Sequence, residues 1–189
     1  MYKVYPKIIL ACLLLVMTGT VYSQRVTQTI NDGWKFSLFE GDASTADFDI
    51  SGWTDVSIPH TWNAKDADDE ISGYFRGKGW YRKVVAVEEL IPEQRVYLSF
   101  EGANQETNVF VNGTFVGNHK GGYSAFTFDV TDYVHAGRNL IAVSVDNSHN
   151  PDIAPLSADF TFFGGIYRDV YLVYTSPVQL STTHYASSG

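Results

Sequence analysis

The chain has 189 residues, 21 acidic and 13 basic, for a net charge of −8. No stretch of lysine or arginine is dense enough to follow a phosphate backbone or an anionic lipid surface, so nucleic-acid and membrane partners are disfavoured and a neutral partner fits better. The one cysteine, Cys12, excludes an internal disulfide framework, so the fold must rest on its own core.

Lys3 and Lys7 precede an apolar run from Ile8 to Met17, which gives way to the small polar stretch Thr18 to Ser23. That is the layout of a secretory signal peptide cleaved near Ser23 or Gln24, with export to the periplasm or beyond. The run is too short for a membrane span, which needs roughly 20 apolar residues. Ile9-Leu10-Ala11-Cys12 resembles a lipoprotein cleavage box, but only Ile8 precedes it as hydrophobic core. Removing Lys3 and Lys7 from the 13 basic residues leaves 11 against 21 acidic ones, a net charge of −10. The remaining chain, about 165 residues, is expected to form one domain, burying roughly 70% of its unfolded surface.

From Arg25 onward, short runs of β-branched and aromatic residues are broken by Gly, Asn, Asp and Pro, and no long amphipathic helix is visible. Strands are predicted at Arg25–Ile30 and Trp34–Phe39, with a helical turn over Asp47–Trp53. Asn63 to Gly79 is aperiodic, with four acidic residues and three glycines, and reads as a long exposed loop of the kind that is usually functional. Strands follow at Trp80–Val87 and Arg95–Phe100. Asn112-Gly113 between two alternating runs marks a β-hairpin, and it accounts for the Asn112-Gly113-Thr114 glycosylation pattern without a sugar. Phe126–Asp129 and Leu140–Val145 are further strands. Asn147 to Ser157, with Pro151 and Pro155, is a second long loop, and it delivers the chain to DFTFFGGIYRDVYLVY at Asp159–Tyr174. There a carboxylate and an aromatic run precede Gly164-Gly165, and alternation from Ile166 predicts a strand. A boundary falls at Ser176-Pro177. At least eight strands with turns every 8 to 12 residues indicate an all-β antiparallel sandwich, most simply a jelly roll.

Six segments occur in one order: NDGWKF at Asn31, a run ending IPHTW at Ile58, GKGWYRK at Gly77, LSFEGANQETNVFVNGTFVGNHKGGYSAFTFDVT at Leu98, GRNLIAVSVDN at Gly137 and FFGGIYRDVYL at Phe162. Together they resemble the N-terminal sugar-binding domain of glycoside hydrolase family 2, the family of β-galactosidases, β-glucuronidases and β-mannosidases. The resemblance implies a jelly roll of the galactose-binding-domain type over residues 25–176, closest in pattern to β-galactosidases. Residues 177–189 would then be a linker and the truncated start of an immunoglobulin-like domain.

Family members cleave with two glutamates carried on a separate (β/α)8 barrel. Here the seven glutamates include none preceded by asparagine, the family's acid/base pattern, and no alternating strand-helix segments occur. No catalytic residue, cofactor or metal is therefore assigned, and the chain alone is expected to be inactive. The expected partners are a galactoside or related neutral glycan and the following immunoglobulin-like and barrel domains of the same enzyme.

In the family, an aspartate just before the aromatic and Gly-Ile-aromatic-Arg motif contacts the terminal sugar's hydroxyls. Asp159 stands at that place; the residues alone would equally let it cap a turn while Phe160, Phe162 and Phe163 fill the core. A carboxylate can accept two hydroxyl hydrogen bonds at once. Arg76 is a second substrate-binding candidate at the pocket rim, against an ordinary solvated arginine. Asp66, Asp68 and Asp69 lack calcium-loop spacing and read as a solvated acidic loop. His60 and His119 have no metal-ligand partners, Trp34, Trp53, Trp62 and Trp80 read as core, and Arg168 reads as a sheet or interface residue. Two other functions fit the same fold: a free-standing carbohydrate-binding module, and a docking domain without ligand.

Overall fold

The computed structural model describes residues 25–66, 73–157 and 159–179; the signal-peptide and lipoprotein readings, Asp68 and Asp69, and all but the first residues of the expected following domain lie outside them. Ten strands occur among the described residues: β1 (Arg25–Thr29), β2 (Trp34–Leu38), β3 (Thr54–Val56), β4 (Lys78–Val87), β5 (Arg95–Phe100), β6 (Glu106–Val111), β7 (Thr114–Lys120), β8 (Phe126–Asp129), β9 (Gly137–Asp146) and β10 (Val170–Thr175). They form a four-stranded sheet in the order β1-β10-β5-β8 and a six-stranded sheet in the order β3-β2-β4-β9-β6-β7, with every pair antiparallel. The molecule is an all-β jelly-roll sandwich, as the turn spacing predicts. No described helix is long and apolar enough to cross a membrane.

Strand alternation explains the core. Every second residue of a strand faces the same way, so Val96, Leu98 and Phe100 of β5 and Leu172 of β10 meet Tyr81 and Val85 of β4, Val109 and Val111 of β6, and Ile141, Val143 and Val145 of β9. Burying each such side chain contributes about 1.5–3 kcal/mol. Trp34 is fully buried, and its indole N–H donates to the Ile30 carbonyl at 2.7 Å, so the ring enters the core with its polar atom satisfied.

Two local expectations are corrected. Asp47–Trp53 forms successive turns and no helix. The carboxylates of Asp42 and Asp49 each accept the backbone N–H two residues on, from Ser44 and Ser51 at 2.9 Å, and such local bonds compete with helical ones. Phe48 and Trp53 still anchor the segment, packing with Trp80, Ala43 and Ala142 on the outer face of the six-stranded sheet.

The strand predicted from Ile166 begins instead at Val170. The Asn31 side chain accepts the Val170 N–H at 2.9 Å and donates to Asp169 at 2.9 Å, closing the ladder there. Pairing resumes only as an isolated bridge between Gly165 and Asn104.

Candidate functional site

The loops leading into β4 and β10 and the loop leaving β9 gather at one end of the sandwich. They are joined by two asparagines that no periodicity marks, Asn63 and Asn147, which are 2% and 0% exposed. The Asn63 carbonyl oxygen accepts the Gly164 N–H at 2.6 Å, while its amide donates to the Phe75 carbonyl at 2.8 Å and to Asp66 at 2.7 Å. Asn147 accepts the Gly77 N–H at 2.8 Å and donates to the carbonyls of Phe162 at 3.0 Å and Phe75 at 3.4 Å, and to Asn63 Oδ1 at 3.3 Å. Loop backbones that would otherwise be buried without partners thus satisfy one another through two amides.

Gly164 and Gly165 lie directly against this network. A Cβ on Gly164 would run into the Trp62 ring and the Asn147 side chain. Gly165 has φ +119° and would bring a Cβ to 2.6 Å from the His60 carbonyl oxygen. Only glycine permits both the close approach and the backbone angle. Beneath them His60 Nδ1 lies 2.8 Å from the Tyr81 hydroxyl. Burial lowers the His60 pKa and raises that of Tyr81, so the pair is neutral at neutral pH and shares one hydrogen bond. Trp62 stacks on Phe36 at 5.8 Å and completes the floor.

The two predicted binding residues reach this end on neighbouring loops. Asp159 is exposed. Phe162, three residues on, is buried at 5%, its carbonyl held by Asn147, and its ring packs against Phe160 at 5.4 Å. The Arg76 guanidinium lies 5.0 Å over the Phe162 ring and 5.4 Å from that of Tyr74, an arrangement that holds the cation by its flat face. Arg76 and the Asp159 segment therefore share the Phe162 ring. Of the three phenylalanines with a core reading, only Phe162 takes it; Phe160 and Phe163 are 52% and 46% exposed, as is Phe75 at 45%.

Asp66 is not simply solvated: its Oδ2 accepts from Asn63 and from the Phe75 N–H at 2.8 Å, which ties the long loop to itself. Among the described residues no cluster of three or more metal-ligating side chains occurs. Trp34 and Trp80 are buried and Trp53 and Trp62 pack against core clusters, as expected. His119 stacks on Phe126 at 4.0 Å and Arg168 lies over Tyr167 at 5.4 Å, both structural contacts. A separate cleft of about 530 Å³, lined by Val26, Glu88, Ile91 and Tyr174 among others, opens at the opposite end of the sandwich and contains neither candidate.

A jelly-roll sandwich whose one end is a set of rigidly pinned loops, with a carboxylate and a guanidinium on them, belongs to the class of domains built to present a recognition surface. The sequence narrows that class. Residues 27–177 match the family described as glycosyl hydrolases family 2, sugar binding domain, and the chain belongs to it. A β-glucuronidase of Bacteroides fragilis is 38% identical over 180 residues, matching 93% of this chain and 24% of its own length. A β-galactosidase of Thermoanaerobacter pseudethanolicus is 40% identical over 151 residues, matching 78% and 19%. The structure of Bacteroides uniformis β-glucuronidase 2 covalently bound to cyclophellitol-6-carboxylate aziridine superposes with a TM-score of 0.80 at 44% identity, over 88% of this chain and 20% of that one. The chain therefore spans about a fifth to a quarter of the proteins it resembles, as expected for the sugar-binding domain of a larger enzyme.

Proposed function

We propose that the chain supplies one wall of the sugar pocket in an exported family 2 retaining glycosidase, with Asp159 accepting hydroxyl hydrogen bonds from the terminal sugar and Arg76 at the rim. The observation that carries this is the exposed Asp159 just before a segment whose backbone Asn147 holds at Phe162 and Asn63 holds at Gly164. A carboxylate that must meet two hydroxyls needs a support of that rigidity. Bond cleavage would belong to a barrel outside this sequence, so the chain alone turns over neither a β-galactoside nor a β-glucuronide.

A β-galactoside is the first reading of the substrate. A β-glucuronide is the second, and two observations favour it: the rim cation Arg76, which suits a uronate carboxylate, and the preponderance of β-glucuronidases among the relatives. Titrating the isotope-labelled chain with galactose and with glucuronate, followed by amide chemical shifts, tests both. Perturbations centred on residues 74–77 and 159–163, abolished by Asp159→Ala, are expected. Shifts elsewhere, or shifts indifferent to that change, would defeat the proposal. A glucuronate response lost in Arg76→Gln while that to galactose persists would select the second substrate.

A further inference from the structure

The outer face of the six-stranded sheet carries a second set of groups that neither the core nor the loop end explains. Register places Asn118, Asn108 and Ser144 side by side across β7, β6 and β9, with Phe115 and Phe110 paired on the row beside them and Lys120, Glu106 and Asp146 on the row beyond. Asn118 Nδ2 donates to Asn108 Oδ1 at 2.9 Å and to Glu106 Oε1 at 3.2 Å, and Asn108 Nδ2 donates to Ser144 Oγ at 3.3 Å. The row is thereby held in one orientation with capacity to spare: Ser144 is buried and anchors it from below, while these bonds leave the carbonyl of the exposed Asn118 uncommitted. Alongside, Phe115 is 51% exposed and meets Phe110 edge to face at 5.4 Å, and Phe110 leads to Trp80 at 5.7 Å. At the other flank the chain leaving β9 rises as a wall, and a cleft of about 140 Å³ lies between Glu106, Asp146, His149 and Asn150.

A solvated strand face needs no aromatic pair beside a fixed amide row. A pyranose chain presents alternating C–H faces and hydroxyl pairs. The half-open Phe115 ring matches the first, and the exposed Asn118 amide, oriented by Asn108 and Glu106, matches the second. Charge selects among glycans: Glu106 and Asp146 repel anionic polymers, and Lys120 is committed to Glu106 at 3.7 Å. We infer that the outer face of β6, β7 and β9 is a second contact surface for a neutral glycan chain, separate from the loop end and independent of Asp159.

The test is retardation of the purified chain in native gels cast with a neutral β-galactan, a neutral β-glucan or polygalacturonate. At least one neutral polymer slows the wild type and polygalacturonate does not. Phe115→Ala and Asn118→Ala each weaken the apparent affinity threefold or more, and Phe115→Trp retains it. Thermal melts establish that the variants are folded. The inference is overturned if no neutral polymer retards the folded wild type, or if Asp159→Ala abolishes the effect while Phe115→Ala does not, which would place binding at the loop end. It is equally overturned if sedimentation shows a dimer that Phe115→Ala dissociates, since the face would then be an interface between copies.

Discussion

Asn63 and Asn147, 84 residues apart in sequence, touch side chain to side chain at 3.3 Å, and each holds the backbone of the Phe162–Gly164 segment at a different atom. The pair is the joint of the candidate site. Asn147→Ala leaves the Gly77 N–H and the Phe162 carbonyl unpaired in a buried place, and each such group costs about 1–3 kcal/mol. The expected loss is about 2–4 kcal/mol in urea unfolding, with faster hydrogen exchange at Gly77 and Gly164. A midpoint within error of the wild type would mean that the loops are held by something else.

Gly165 faces a different constraint. Its φ of +119° and the His60 carbonyl oxygen 2.6 Å from an added Cβ mean that Gly165→Ala strains the backbone and collides with backbone at once. A loss of about 2–4 kcal/mol is expected. Gly52, where an added Cβ meets nothing within 4 Å, is the control: Gly52→Ala changes the melting temperature little. Equal effects at the two positions would contradict the close-approach account.

Much of the fold is legible in the sequence because sheets print their period on it. The Asn112-Gly113 turn has positive φ at both residues, 51° and 81°, as its chemistry requires, and the runs on either side pair as β6 and β7. The loop end is less legible. Ile166 to Asp169 alternates like a strand but is excluded from the ladder by the Asn31 side chain, a partner 139 residues from Val170 that no local pattern announces. Asn63 and Asn147 look like ordinary loop residues, since an amide is buried only because three separate backbones converge on it. Asp66 reads as solvated for the same reason. The carboxylate proposed for ligand contact came from likeness to a family and the arginine from its place in the long loop, and the contact of Arg76 with Phe162 emerges only in three dimensions.

Acid should loosen the loop end before it unfolds the core. Burial depresses the His60 pKa below its usual 6.5, so between that folded value and 6.5 the unfolded chain binds the proton and the native one does not. Stability is therefore full above about pH 6.5 and falls as pH drops through this window. The ceiling is about 1.4 kcal/mol per pH unit, reduced to under about 1 because the ring is only half-buried. His119, also depressed by burial, adds in the same direction. Urea unfolding at pH 7.5, 6.5 and 5.5 should show a shallower dependence in His60→Gln than in the wild type. Parallel curves would remove His60 from the account.

Asp66 gives a prediction about metal. Its Oδ2 is engaged by the Asn63 amide and the Phe75 N–H, so it is already satisfied by neutral donors. Melting temperature is expected to be the same with millimolar calcium or with a chelator, while Asp66→Ala lowers stability by about 1–3 kcal/mol. A calcium-dependent rise that Asp66→Ala abolishes would show the carboxylate to be a ligand.

The pairing of Arg95 with Asp129 separates charge from geometry. The two meet at 2.5 Å but are 44% and 30% exposed, and exposed ion pairs contribute about 0–1 kcal/mol. Asp129 also closes a local side-chain turn. Its Oδ1 accepts the Thr131 hydroxyl at 2.6 Å and the Thr131 N–H at 3.0 Å, fixing the turn after β8, while Thr131 in turn accepts the Val96 N–H at 2.9 Å. Burial alone would raise the Asp129 carboxyl, but the Thr131 bonds and then Arg95 bring it below the usual value. Arg95→Ala should therefore cost under about 1 kcal/mol, and less in high salt. Asp129→Ala should cost about 1–2 kcal/mol with little salt dependence, because it removes the turn bonds to Thr131. The double variant should cost little more than Asp129→Ala alone, since the arginine then keeps only its weaker contact with Tyr97. Should Arg95→Ala prove the costlier change, the ion pair and not the turn would be what holds β5 against β8.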